Sequence, residues 1–139
     1  MTQSSQRITE KKINKNIEIN KLTEEIIGAA IEVHRILGPG LLESAYQEAL
    51  VYELRLRGFF VEEEIVLRIP YKTITLKKAF RADVIVEKRV LVEIKAQEDR
   101  HDIFKAQTLN NTRLSKLKVG LLINFHHKKL VNGLKRFIF

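Results

Sequence analysis

The stretch FRADVIVEKRVLVEIKA, residues 80–96, decides the fold and most of the chemistry. Two runs rich in Val, Ile and Leu, 80–86 and 90–95, flank Glu87-Lys88-Arg89, a polar break of hairpin length. Centring the turn on Lys88 sets Val86 opposite Val90, Val84 opposite Val92 and Asp83 opposite Glu93. Side chains alternate along a strand, so Lys95 shares the face of Glu93. Two carboxylates and one ammonium group then converge on one patch. Their strand neighbours are Val, Ile and Leu, which marks the hairpin as central in a sheet. Charges there are costly unless paired or bound to a metal.

Outward from the hairpin, the period changes twice. On its N-terminal side, residues 61–69 form a β-prone stretch closed by Pro70, and residues 71–76 are a second candidate strand. Before these, Thr23 is a candidate cap for a helix whose stripe is Ile26, Ala30, Val33 and Leu37, stopped by Gly38-Pro39-Gly40. A second helix is expected over about 42–57, with Ala45, Ala49, Tyr52 and Leu56 on its apolar line and Leu50 and Leu54 alongside. On the C-terminal side come a helix over about 102–117, a buried strand over 119–125, and a final segment, 130–139, readable as helix or strand. The order α-α-β-β-β-β-α-β predicts an α/β (mixed α+β) fold, with a mixed sheet of four to five strands flanked by helices.

Composition sets the outer bounds. The 139 residues, 45% of them hydrophobic, suit one domain. Residues 21–139 are expected to form it, with residues 1–20 as a polar, flexible arm. The absence of cysteine excludes a disulfide scaffold and thiolate metal or nucleophile chemistry. There is no run of ~20 apolar residues for a membrane helix, and residues 1–20 lack the pattern of a signal peptide. The expectation is a soluble, cytoplasmic protein without a membrane partner. The formal net charge is +8, and residues 96–139 hold nine basic and three acidic residues, a net charge of +6. That excess is compatible with a nucleic-acid partner or with a solvated, lysine-rich surface.

The opposed acids and their lysine have the make-up of a magnesium-dependent phosphodiesterase. Hard cations prefer carboxylate oxygens and keep several waters. A bound ion lowers the pKa of its water and neutralises phosphate charge, while a neighbouring lysine can orient water or stabilise the transition state. The plainer alternative is a cross-strand salt-bridge cluster. Glu43 and Tyr46 share a face one turn apart on the second helix, as dipole-favoured carboxylate and packing residue or as parts of the same site. Gln107 and Asn110 fall on the line of Ile103, Leu114 and Leu117, where inward polar groups need partners. His34, on an apolar stripe, is expected to be a packed core histidine. His126 and His127 point oppositely on an extended chain and make a poor metal pair. Leu130, Leu134 and Phe137 suit either core or a subunit interface, which would make a homodimer.

Asp83 followed by Glu93-Ile94-Lys95 resembles the D…(D/E)-x-K core of the PD-(D/E)XK nuclease superfamily. The segment 37–46, LGPGLLESAY, resembles the signature of the bacterial GxxExxY proteins, a branch of that superfamily, with Gly40, Glu43 and Tyr46 at the named positions. The resemblance spans about residues 22–139. It implies a restriction-endonuclease-like core, with Asp83, Glu93 and the Ile94 backbone carbonyl as metal ligands for Mg2+, replaceable by Mn2+. It implies Lys95 as the catalytic lysine and Glu43 as the acid that many members carry on the helix before the sheet. Gln107 resembles the glutamine of the RecB-like Q-x-x-x-Y motif, although Asn111 stands where that tyrosine would be. The expected function is a divalent-metal-dependent nuclease acting on DNA or RNA. The alternatives are a catalytically silent nucleic-acid-binding module on the same fold, or an assembly partner with a salt-bridged carboxylate cluster.

Overall fold

A computed structural model describes residues 17–139; residues 1–16, most of the expected arm, lie outside the described residues. The first helix, α1, is Ile19–Leu37 and buries Leu22, Ile26, Ala29, Ala30 and Val33. It begins earlier than a cap at Thr23 would allow, because Glu18 is the cap. The Glu18 carboxylate accepts the backbone N–H groups of Asn20 and Lys21 at 3.0 and 3.1 Å, satisfying donors that a helix start leaves open. Thr23 is instead buried in the first turns, where its hydroxyl donates to the Asn20 carbonyl. The helix stops at Gly38, whose φ of 69° is left-handed.

Helix α2, Glu43–Leu56, buries Tyr46, Leu50, Val51 and Leu54. The expected line through Tyr52 and Leu56 is on its outer side, where these two are 63% and 47% exposed. Apolar residues occur on both sides of this helix, and periodicity does not say which side meets the sheet. Burying Tyr46 satisfies its hydroxyl, and that decides the matter. The hydroxyl donates to the Gly38 carbonyl and accepts the Leu41 N–H at 3.1 Å.

Five strands follow in spatial order β1-β2-β3-β4-β5: β1 Val61–Tyr71, β2 Ile74–Val86, β3 Val90–Lys95, β4 Val119–Asn124 and β5 Leu134–Ile138. Neighbours pair antiparallel except β3 and β4, which are parallel and are joined through helix α3, His101–Leu114. The two strands expected at 71–76 and 80–86 are one strand, β2, because the turn falls at Lys72-Thr73. Lys72 takes the left-handed conformation there, with φ 54°. The final segment resolves as a short 3-10 turn, Leu130–Gly133, and then β5.

Alternation on β3 divides the molecule. Val90, Val92 and Ile94 join the main core with α1, α2, Val84, Val86, Leu121 and Ile123. Leu91 faces a smaller cluster with Leu67, Ala82 and Ile85, closed by Leu114 and Leu117 from the α3 side. Leu130 is buried in the main core and Leu134 packs against it, so this part of the C-terminal apolar segment is core. The result is a mixed α/β fold, a five-stranded mixed sheet flanked by helices, consistent with a restriction-endonuclease-like core.

Candidate active site

The β2–β3 register is Val84 opposite Val92 and Val86 opposite Val90, as the hairpin sequence predicts. Beyond Val84 the backbone ladder gives way to the site. The Ile94 N–H donates to Asp83 Oδ2 at 2.8 Å, so a carboxylate takes the place of a strand carbonyl. Glu93 and Lys95 follow on β3, two residues apart and therefore on one face. Lys95 Nζ lies 3.7 Å from Glu93 Oε2, with the two side chains 12% and 8% exposed. The ammonium also sits 4.9 Å from the centre of the Phe104 ring, a cation–π contact from α3.

Helix α3 presents Phe104, Thr108, Asn111 and Thr112 inward. Asn111 donates to Glu93 Oε1 at 3.1 Å. The inward line expected through Gln107 and Asn110 is therefore displaced by about one residue. Gln107 and Asn110 are both exposed, and Ile103 is 41% exposed. The aromatic Phe104 and the small Thr108 and Thr112 pack better on the sheet than the alternative face does. Among the described residues Gln107 makes no hydrogen bond to Asp83, Glu93 or Lys95. Asn111 is the residue that spacing misses. Its place four positions after Gln107 is visible in the sequence only as a departure from a motif.

Close packing fixes α3 over the site. Gly120 on β4 lies so near α3 that an added Cβ would stand 2.3 Å from the Thr112 hydroxyl oxygen. That hydroxyl donates to the Thr108 carbonyl at 2.6 Å and has little freedom to move away.

Glu43 stands in the first turn of α2 and is exposed at the rim. Its Oε1 accepts from Gln97 Nε2 at 3.5 Å, and its charge acts on both Asp83 and Glu93. The turn before it depends on Gly40, whose φ of 104° suits glycine alone. Tyr46, one turn after Glu43, ties back to Gly38 and Leu41 and stacks on Phe125 at 4.5 Å. Gly40 and Tyr46 thus position Glu43, and Tyr46, fully buried, does so from inside the core.

His34 is buried, 6.2 Å from the Phe125 ring, with Nε2 2.7 Å from the His127 carbonyl oxygen, the environment of a packed core histidine. His127 Nε2 lies 2.7 Å from Asp99 Oδ2, an ion pair whenever the ring is protonated. His126 is exposed.

Burial, more than neighbouring charge, sets the electrostatics of the site. Burial raises the Asp83 carboxyl from its ordinary 3.8 to about 6, helped by Glu43 and Glu64 and opposed by the Ile94 N–H and Lys95. Burial raises Glu93 from 4.5 to about 7, with Asp83 and Glu43 adding to the effect and Asn111 and Lys95 opposing it. Among the described residues, no three His, Cys, Asp or Glu side chains form a cage for an ion. The donor set is two carboxylates, Asp83 and Glu93, with remaining positions left to water. Hard oxygen donors, too few to dehydrate an ion fully and held in a poorly solvated place, fit a divalent cation of the magnesium type.

No helix among the described residues is long and apolar enough to cross a membrane. A family model described as the PD-(D/E)XK nuclease superfamily matches residues 20–137, from the start of α1 to the end of β5. Neither the curated proteins nor the solved structures gave a match. Nucleases of this superfamily generally use divalent metal ions and act on nucleic acid. With the family model spanning every element that builds the site, the chain belongs to the PD-(D/E)XK nuclease superfamily.

Proposed function

We propose that this chain hydrolyses phosphodiester bonds of DNA, with RNA as the second candidate, using Mg2+ or Mn2+ held by Asp83, Glu93 and the Ile94 carbonyl. The observation that carries this reading is the meeting of half-buried Asp83 and buried Glu93 with one lysine at the diverging ends of β2 and β3. When bound, such a cation supplies water of lowered pKa and neutralises charge on the phosphate.

The chain's own residues supply the rest. Asp83 and Glu93 must be ionised to hold a cation, so binding strengthens as pH rises through about 6 to about 7. Asn111 fixes the orientation of Glu93 by its hydrogen bond to Oε1. Lys95, seated between Glu93 and Phe104, keeps a positive charge where negative charge grows on the phosphoryl oxygens. Glu43, at the rim, orients the attacking water, and Gln107, exposed one turn before Asn111, meets the incoming strand. Membership of the GxxExxY branch is part of this reading, supported by the way Gly40 and Tyr46 hold Glu43 at the rim.

The test is purified chain with Mg2+ or Mn2+ on single- and double-stranded DNA and RNA. Cleavage is expected to need the metal and to fall by about 10³-fold or more in Asp83→Ala and Lys95→Ala. Cleavage of none of the four substrates, or cleavage that survives both substitutions, overturns the reading. Binding without cleavage would favour the silent module. Calorimetry without a metal heat that depends on Asp83 would favour the salt-bridged cluster.

A further inference from the structure

The longest strands of the sheet reach past the site. β1 pairs with β2 from Val61 opposite Val86 to Tyr71 opposite Ile74, whereas β3 pairs with β2 only over Val84–Val86. The outer part of the β1–β2 hairpin is thus a two-stranded ribbon that continues beyond β3, on the side where Asp83 leaves the ladder. Between Glu64 and Asp83 there are 18 residues, with five basic and no acidic side chains: Arg68, Lys72, Lys77, Lys78 and Arg81. All five are exposed, and among the described residues none is in an ion pair or side-chain hydrogen bond. The cations of α1 and α2 differ: Lys21, Arg35, Arg55 and Arg57 are each paired with a carboxylate.

Register places these charges. Val66 pairs with Arg81 and Arg68 with Ala79, so Arg68 and Arg81 lie on one face as diagonal neighbours. Like charges so placed repel, and among the described residues neither is in an ion pair. The ribbon also exposes Tyr71, Ile74 and Phe80, each more than half accessible. A cationic ribbon with apolar side chains between its charges has the chemistry of a polyanion-binding arm, and a two-stranded ribbon has the width to enter a duplex groove. Arg81 and the metal-site residue Asp83 are two positions apart on one strand, so the charges of the ribbon begin next to the carboxylates.

Resting on the nuclease reading for the chemistry of the ligand, we propose that the outer β1–β2 hairpin is the arm that docks the nucleic-acid backbone and delivers it to Asp83. Averaging along the chain conceals it, because Glu62, Glu63, Glu64, Asp83, Glu87 and Glu93 lie close in sequence but outside the ribbon.

The experiment compares two variants of equal charge change in the full chain. One is Lys77→Gln/Lys78→Gln/Arg81→Gln and the other is Lys128→Gln/Lys129→Gln/Lys135→Gln, in the C-terminal part. Binding of a labelled DNA duplex of about two helical turns, and of one of its strands, is measured by anisotropy in EDTA over a range of salt. The hairpin variant is expected to bind at least about tenfold more weakly at about 100 mM salt, with a slope of log K against log salt flatter by about 2–3, since each phosphate left without its cation contributes about one. The C-terminal variant should stay within about threefold of the wild type on the same scale. Unchanged thermal midpoints show that each variant folds, and Lys77→Glu/Lys78→Glu repeats the test by charge reversal. Equal loss from both triples, loss from the C-terminal triple alone, or no salt-sensitive binding by the wild type overturns the proposal. Binding is read without turnover, so a wild type that binds through the hairpin but never cleaves defeats the nuclease reading and leaves the arm standing.

Discussion

The two faces of β3 follow different rules. On one, Val90, Val92 and Ile94 are sealed under α1 and α2 in a wholly apolar core. On the other, Leu91 is followed by Glu93 and Lys95, covered by α3 and a small apolar cluster. Both sets are largely withdrawn from water, since β3 is buried at five of its six positions and Lys95, the sixth, is half-buried. What differs is compensation. The first face removes apolar surface from water and needs nothing more. The second holds charge in a poorly solvated place and offsets it incompletely, with one ammonium, one backbone N–H and one amide. Burial of the first kind stabilises a fold and burial of the second kind costs stability, a division common to active sites.

Moving a charge across the strand breaks the comparison most severely. Val92→Glu puts a carboxylate without a partner into the apolar core that holds Val84, Leu121 and Ile123. A loss of more than about 4 kcal/mol is expected, read as loss of the cooperative urea transition. Glu93→Gln is the mirror test. It should abolish cleavage yet raise stability at about pH 8 by about 1 kcal/mol, because the desolvated charge is gone. Next in size, Gly120→Ala drives a methyl group against Thr112 and should cost about 1–3 kcal/mol, with α3 lifted and cleavage lowered alongside Tm.

The pH dependence sharpens the contrast. Asp83 and Glu93 hold their protons more tightly in the folded state than their ordinary 3.8 and 4.5. Their contribution to stability is therefore greatest below about 4 and declines as pH rises to about 7. Urea titrations of the wild type should show that decline, Asp83→Asn/Glu93→Gln should flatten it, and millimolar Mg2+ at about pH 8 should reverse it by binding the folded state. The smallest effect is expected from Asn111→Leu. Removing the hydrogen bond that favours the ionised Glu93 should move the midpoint of Mg2+ binding heat up by as much as about one pH unit.

The hairpin at 80–96 is readable because a short polar turn between two apolar runs leaves one sensible register, and that register fixes which residues share a face. The stop at Gly38 is readable for a similar local reason. Helix faces are less so. On α2 the flanking Leu50 and Leu54 are buried with Tyr46 while Tyr52 and Leu56 are exposed, and on α3 the buried line runs through Phe104 and Asn111 instead of Ile103 and Gln107. A helix with apolar residues on several sides has no strong preference until a sheet surface selects one. The basic run between Glu64 and Asp83 is legible in the sequence, but that it forms an exposed two-stranded ribbon past the site is not, since that depends on where β3 stops pairing with β2.

Sequence alone determined the strand pair, its register and the identity of the two acids and their lysine, because β-pairing across a tight turn is a local geometric constraint. Tertiary structure alone decided that Asn111 meets Glu93, that Tyr46 holds the turn before Glu43, and that the hairpin carrying five cations extends past the pairing with β3. Each of these depends on which surfaces pack together, and packing is settled by fit among distant parts of the chain.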